Sequence, residues 1–317
     1  MDEQQSIYDV LIIGAGAAGL TSGIYCSRKK LKNAIITLDI GGQTNLTNHI
    51  ENYPGAGAQP GPELMQKFAD EARRFGTEFI MAQVNKLEKR EKGDFAISTT
   101  DGKQYFTRSV ILAFGAMPKL LGIPGEDKFF GRGISTCTTC DAPFFKGKAT
   151  AVVGGGNSAV EGALELSKIA SKVFLIHRRG DFRADPVTVD KLRNAPNVEL
   201  VLDSEVKEVL GEKKVSGIRV SNNKTNAARE IQIDGLFIEI GHIVKTEFLR
   251  PLVKTNEKNE VITDLGNRTN IPGIFAAGDI TIIPFKQTVI SAGEGAKAAL
   301  ECYKYLTGGK VDTQDWT

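Results

Sequence analysis

Histidine, cysteine and tryptophan are scarce in this chain: three, four and one in 317 residues. Four cysteines are too few for a disulfide scaffold, and a reducing cytosol keeps structural thiols unpaired. The histidines at 49, 177 and 242 are scattered and have no metal-ligand spacing. An excess of one charge is lacking too. Forty Lys and Arg stand against 38 Asp and Glu, a net charge of +2, and no long basic run offers a surface for nucleic acid or membrane. No apolar run approaches the roughly 20 residues of a membrane span. The opening Met1-Asp2-Glu3-Gln4-Gln5 is acidic and polar, unlike the basic start of a secretory signal. The expectation is a cytoplasmic protein with no nucleic-acid partner and no metal.

Glycine, by contrast, is plentiful at 34 residues, and its placement carries information. The length suggests two domains. Tyr8 to Ile13 reads as a buried parallel strand ending in Gly14-Ala15-Gly16-Ala17-Ala18-Gly19. Leu20 to Lys30 has a helical pattern, and Asn33 to Asp39 is a second strand. In that strand–turn–helix–strand context G-x-G-x-x-G points to a dinucleotide. Its glycines let backbone N–H groups approach a pyrophosphate at the positive end of a helix. Asp39, twenty residues after Gly19, stands where an acid would bind a ribose hydroxyl; a solvated strand end is the alternative. Residues 41 to 55 form a long polar loop. Glu63 to Phe75 reads as an amphipathic helix, 79 to 109 as a small antiparallel meander, and Ser109 to Ala116 as a further strand.

The plan then repeats. Lys148 to Val153 is a strand, Gly154-Gly155-Gly156-Asn157-Ser158-Ala159 gives G-x-G-x-x-A, Val160 to Lys168 is a helix and Lys172 to Ile176 a strand. The residues after that strand are basic: His177-Arg178-Arg179, then Arg183. Guanidinium groups there suit a 2′-phosphate through charge-assisted contacts, so the second unit suits NADPH and the first an unphosphorylated adenosine. A solvated basic strand end is the alternative. A second meander runs from about 198 to 240. Ile274 to Asp279 is an apolar strand running into Gly-Asp, followed by a helix from about Gln287 to Leu306 and a polar tail from Gly308, expected to fray. If the last segment completes the first unit, the second is inserted into it.

Between the two glycine turns lies Cys137-Thr138-Thr139-Cys140-Asp141. A C-x-x-C can be half a zinc site, a redox pair or a chance pairing. Zinc needs two more ligands, and Cys26 and Cys302 are isolated in apolar, helix-like stretches that suit small buried hydrophobes. The redox reading has a mechanism. One thiolate attacks a partner disulfide and the second cysteine resolves the mixed disulfide. Asp141 beside the pair is placed to exchange a proton with a thiol, or to cap a helix start.

In this order, Gly14 to Gly19, Cys137 to Asp141, Gly154 to Ala159, His177 to Arg183 and Ala277-Gly278-Asp279, the chain resembles low-molecular-weight thioredoxin reductases from about Tyr8 to Leu306. The resemblance implies an α/β fold of two Rossmann-like dinucleotide-binding domains, one for FAD (1–116 and 244–317) and an inserted one for NADPH (117–243), each with a small antiparallel meander. It implies a homodimer whose protein substrate is thioredoxin. Gly14, Gly16, Ala17 and Gly19 would hold the FAD pyrophosphate, with further FAD contacts from Gly42, Gln43, Asn52, Asp279, Gln287 and Thr288. Gly154, Gly156, Asn157 and Ser158 would hold NADPH, with His177, Arg178, Arg179 and Arg183 near its 2′-phosphate. Cys137 would attack the partner, Cys140 would exchange electrons with the flavin, and Asp141 would be the acid. Phe144 and Phe145 would offer thioredoxin an apolar contact or serve as core. Asn157 stands where many members have Asp, and Val244 where Pro is frequent. Pro284 to Thr288 and Gly293 to Lys297 look more like the flavoprotein component of alkyl hydroperoxide reductase. That protein has an additional N-terminal redox domain, whereas the first strand here begins at Tyr8. It makes a peroxiredoxin-system carrier the alternative substrate.

Overall fold

Val10, Leu11 and Ile12 are wholly inaccessible to solvent, as a strand covered on both faces requires. The computed structural model describes residues 7–46 and 50–309. The acidic start at 1–6, His49 within 47–49 and the tail from 310 to 317 lie outside the described residues.

The chain forms β1 (Tyr8–Ala15), α1 (Ala17–Arg28), β2 (Asn33–Ile40), a 3-10 helix at Gly42–Leu46, α2 (Gly61–Arg74), β3 (Glu78–Met81), β4 (Val84–Lys89), β5 (Phe95–Thr99), β6 (Gln104–Leu112) and a short β7 (Met117–Pro118). There follow α3 (Glu126–Phe129), β8 (Ile134–Ser135), α4 (Thr138–Asp141), β9 (Ala149–Val153), α5 (Asn157–Ser167), β10 (Lys172–Ile176), α6 (Pro186–Arg193) and β11 (Val198–Val201). The remainder is β12 (Ser204–Gly211), β13 (Val215–Asn222), β14 (Ala228–Gln232), β15 (Gly235–Ile238), a short β16 (His242–Ile243), β17 (Ile274–Ala276) and α7 (Thr288–Leu306). Two units result, one from Met1–Met117 with Ile243–Thr317, the other Pro118–His242.

In the first unit the strand order is β3-β2-β1-β6-β5-β4, with β17 also on β6. β1, β2, β3, β6 and β17 run parallel, while β4, β5 and the start of β6 are antiparallel. Alternate residues face opposite sides. Val10, Ile12 and Ile111 join α1, α2 and α7 in one core; Leu11, Ile13, Val110 and Leu112 join a second with Leu249 and Val261.

Here the structure redraws two sequence expectations. Glu78–Met81, expected as the start of the meander, pairs parallel with β2. The last meander strand and the strand expected from Ser109 are one strand, β6. Its first half pairs with β5 and its last residues with β17. An alternating pattern marks a strand but not its partner. The physical reason for the merger is that β6 leaves the meander and enters the buried sheet without a turn.

The second unit repeats the theme with a parallel sheet, β11-β10-β9-β15-β8. Its antiparallel sheet β12-β13-β14 covers 204–232, shorter than the 198–240 expected, because the flanking β11 and β15 pair with β10 and β9. Ala151, Val153 and Leu236 pack toward the antiparallel sheet's Val206, Val209 and Ile218. Val152, Val173, Leu175 and Phe237 pack with Val160, Leu166 and Leu192 of α5 and α6.

Cys26 and Cys302 are free and buried, as small hydrophobes, and burial pushes both thiols up, Cys302 to about 12. α7 crosses α1 with almost no space between backbones. Ser22 Oγ donates to Ala18 O at 2.8 Å and Gly295 O at 3.0 Å, and a Cβ on Gly295 would lie 2.1 Å from Ala18 O. Backbone on both sides has no flexible end to yield. Gly295→Ala is therefore expected to destabilise the first unit by about 1–3 kcal/mol, read from denaturant or thermal unfolding. A neutral outcome would show that the helices separate at little cost.

Candidate functional site

Parallel strands deliver their loops to one edge of each sheet, so the chemistry-bearing turns collect there. In the first unit Gly14 turns at φ +102°, and a Cβ on Gly19 would lie 1.9 Å from Gly14 O, so the start of α1 presses directly on the end of β1. Gly16 caps α1 with extended backbone and no side-chain hydrogen bond, leaving the N–H groups of the first turn, Ala17 among them, without a side-chain acceptor. A Cβ on Gly16 would meet nothing within 4 Å.

Other expected contacts gather near this turn. Gly42, at φ +55°, lies across from Gly16; a Cβ on it would be 3.7 Å from the Gly16 Cα. Gly41 N–H bonds Ala15 O at 2.8 Å and Ala277 N–H bonds Leu112 O at 2.9 Å, so the polar loop and the Gly278-Asp279 turn start from neighbouring strand ends. A Cβ on Gly278 would be 3.0 Å from the Ala18 Cβ. Asn52 Nδ2 donates to Gln287 Oε1 at 3.0 Å, and the Thr44 and Thr288 hydroxyls are 3.2 Å apart, which joins the polar loop to the start of α7. Ser291 Oγ donates to an Asp279 carboxylate oxygen at 3.0 Å. Gln43 Nε2 is buried with no hydrogen-bond partner, a donor whose burial is costly unless an acceptor meets it. Asp39 is exposed near the end of β2.

In the second unit Gly156 likewise caps α5 without a side-chain bond, and a Cβ there would meet nothing. Ser158 is exposed on the first turn of the helix. At Gly154 a Cβ would strike Glu239 O at 2.4 Å and the Ala159 Cβ at 2.5 Å. Asn157 Oδ1 accepts the Asp185 N–H at 2.9 Å, tying the starts of α5 and α6, so its side chain has a structural task. Arg178, Arg179 and Arg183 are exposed, and Arg183 N–H bonds Gly155 O at 2.8 Å, which holds the basic loop on the glycine turn. His177 differs from its basic neighbours. It is buried over Gly155, where a Cβ would be 2.1 Å from its ring; it stacks on Phe182 at 5.4 Å, and its Nε2 lies 3.1 Å from Asp181 O. Burial lowers its pKa, with Arg179, Arg183 and Arg178 acting in the same direction against the Asp181 hydrogen bond. His177 thus braces the loop from beneath, with its pKa held below the ordinary value.

Cys137 and Cys140 form a disulfide, Cα atoms 5.3 Å apart, both residues half-buried. Cys137 is the N-cap of α4, its Sγ accepting Cys140 N–H at 3.2 Å, and its own N–H bonds Ser135 Oγ at 3.0 Å. Asp141 ends this helix, its N–H on Cys137 O at 3.2 Å; its side chain does not cap the following 3-10 turn. Phe145 packs edge-on against Phe237 at 5.1 Å, whereas Phe144 is exposed.

A model of the pyridine nucleotide-disulphide oxidoreductases matches residues 8–299. The chain belongs to this family. A thioredoxin reductase of Helicobacter pylori is 40% identical over 94% of the chain and 98% of its own length. An alkyl hydroperoxide reductase component from Pseudomonas putida is 37% identical over 94% of the chain, which spans 58% of that protein. The solved thioredoxin reductase of Streptococcus pyogenes superposes with a TM-score of 0.91 at 39% identity, covering 96% of this chain and all of that one. The resemblance to low-molecular-weight thioredoxin reductases is borne out. Among the described residues no helix is long and apolar enough to cross a membrane.

For this member of the family, reading the motifs missed Thr44, Ser291, Thr138 and Glu239. The first two are ordinary loop and helix residues without a local signal. Glu239 had one: it is a lone charge in the apolar run Leu236-Phe237-Ile238-Glu239-Ile240.

A histidine held neutral leaves the unfolded chain binding a proton that the folded chain does not. Stability contributed by His177 should be present above its ordinary value near 6.5 and decline as pH falls below it. An NMR titration of the His177 ring is expected to give a folded-state pKa below that value, and a higher one would return His177 to the cationic cluster.

Proposed function

We propose that the chain is an NADPH-dependent FAD enzyme that reduces the disulfide of thioredoxin. The observation that carries this is the C-x-x-C disulfide lying, in chain order, between two glycine turns, each opening an uncapped helix start after a parallel strand. The residues fit the two dinucleotides. In the first unit the open space over Gly16, the uncapped α1 and the orphaned Gln43 Nε2 suit an anionic dinucleotide such as FAD. Gly14, Gly16, Ala17, Gly19, Gly42, Gln43, Asn52, Asp279, Gln287 and Thr288 would hold it, with Asp39 toward its ribose. In the second unit Gly154, Gly156, Asn157 and Ser158 would hold NADPH, with exposed Arg178, Arg179 and Arg183 taking the 2′-phosphate. Bound FAD would accept a hydride from NADPH and pass two electrons to the disulfide.

The protein's own residues then do the exchange. Reduced Cys137 attacks one sulfur of the partner disulfide and forms a mixed disulfide, and Cys140 displaces the partner as a dithiol. Asp141 supplies a proton to a departing thiolate. Exposed Phe144 offers the partner an apolar contact, while Phe145 supports it from the core. A cytoplasmic homodimer of a 1–116/244–317 FAD domain and a 117–243 NADPH domain completes the reading. The second reading keeps the chemistry and changes the partner to a peroxiredoxin-system carrier. Its support is the identity to the alkyl hydroperoxide reductase component and exposed Phe285, 69% accessible, in Pro284 to Thr288.

NADPH-driven reduction of a chromogenic disulfide, with and without thioredoxin, tests this. A thioredoxin-dependent rate that falls to background in Cys140→Ser is expected; a rate restored only by a peroxiredoxin-system carrier would move the protein to the second reading, and none with either would end both. Arg179→Ala is expected to raise the KM for NADPH about 10–100-fold, the loss of a charge-assisted contact, with NADH little affected.

A further inference from the structure

Thr138, the residue after the first cysteine, is buried, and both of its donors end on one carboxylate oxygen. Its N–H lies 3.1 Å and its Oγ1 2.9 Å from Glu239 Oε1. Glu239 is fixed in turn. Its N–H bonds Val153 O at 2.9 Å, at the end of β9, and its carbonyl abuts Gly154, where a Cβ would lie 2.4 Å away. Thr138 also packs on α5: a Cβ on Gly162 would be 2.7 Å from Thr138 Oγ1. The dithiol segment is thereby clamped to the glycine turn of its own unit by one acidic side chain and one missing side chain.

We propose that Glu239 is a positioning residue for the dithiol, fixing Thr138 through both of its donors and setting the redox potential of the Cys137–Cys140 couple. This deepens the reading above, on which it rests for its place in the relay. Reduction breaks the Cys137 Sγ–Cys140 Sγ bond with two electrons. Two protons then give two thiols, or one proton gives a thiol and a thiolate. A carboxylate held on Thr138, the residue next to Cys137, disfavours a nearby thiolate, which makes the couple more reducing. The two Thr138 donors offset part of its charge. Burial pushes the Glu239 carboxyl up against the two Thr138 hydrogen bonds, with Glu165 of α5 adding to the rise. A group so placed costs stability as an anion and needs its donors.

The test is equilibration of the flavin-loaded protein with mixtures of reduced and oxidised dithiothreitol, the thiols being trapped by alkylation and counted by mass. Each reduced dithiothreitol supplies two electrons and two protons and becomes a cyclic disulfide. Glu239→Gln keeps the acceptor oxygen and removes the charge. Its equilibrium constant is expected to move about tenfold toward the dithiol, or ~30 mV for a two-electron couple. Thr138→Val keeps the shape and removes the hydroxyl donor; read at alkaline pH, where Glu239 stays ionised, it leaves the charge less offset. It is expected to move the constant about threefold toward the disulfide. Mere loosening of the segment would not give opposite signs. A constant unchanged in either variant, or moved the same way by both, overturns the proposal. If Glu239→Gln does not fold, Thr138→Val decides by its own sign. The readout needs neither NADPH nor a protein substrate, so a chain that fails to reduce thioredoxin loses the proposed function and leaves this result standing.

Discussion

Contact between a strand end and the first turn of the helix after it governs both units. At Gly19 there is no room for a single carbon beside Gly14 O, and at Gly154 none beside Glu239 O or the Ala159 Cβ. That closeness aims the first N–H groups of α1 and α5 outward past Gly16 and Gly156, neither of which carries a capping side chain. A helix start without a cap is a standing demand for an acceptor. The pyrophosphate of the proposed dinucleotides would answer it, and the rest of each unit keeps the demand in place: the parallel sheet beneath, and in the first unit α7 pressed against α1 through Gly295.

The same economy appears at the dithiol. Cys137 and Cys140 sit in a segment whose backbone is held by Ser135, by the short helix they open, and by Glu239 through Thr138. An exchange partner must reach a sulfur, so the pair is left half-buried while the residue between it and the core is locked. Rigidity is placed where geometry matters for sulfur–sulfur attack, and access is kept at Phe144 beside it.

Charge is treated differently at the two ends of the second unit. Arg178, Arg179 and Arg183 are exposed and keep their guanidinium groups in water, free to meet the phosphate proposed for them. His177, one residue away from Arg178, is buried against Gly155, and burial lowers its pKa. Adjacent residues in the sequence thus take opposite solvation, decided by which side of the strand end each side chain faces.

The order of motifs was legible because each glycine turn has only one sterically permitted geometry, and because apolar runs such as Val10 to Ile13 bury on both faces wherever they pair. The family, the parallel strands β1, β2, β9 and β10 and the helices at 61–74 and 288–306 follow from such local constraints, whereas the Cys137–Cys140 disulfide is one of three outcomes the C-x-x-C spacing allows and the fold selects it. Strand partnership did not follow: β6 reads as two strands because alternation repeats every two residues whichever neighbour it meets. Nor did the tasks of His177, Asn157 and Glu239, whose side chains are assigned by contacts with residues 4, 28 and 101 positions away. Sequence determines which backbone turns are possible and which segments must be covered. Only the folded chain decides which buried polar atom meets which donor, because that depends on distances closed by packing rather than by the chain's own spacing.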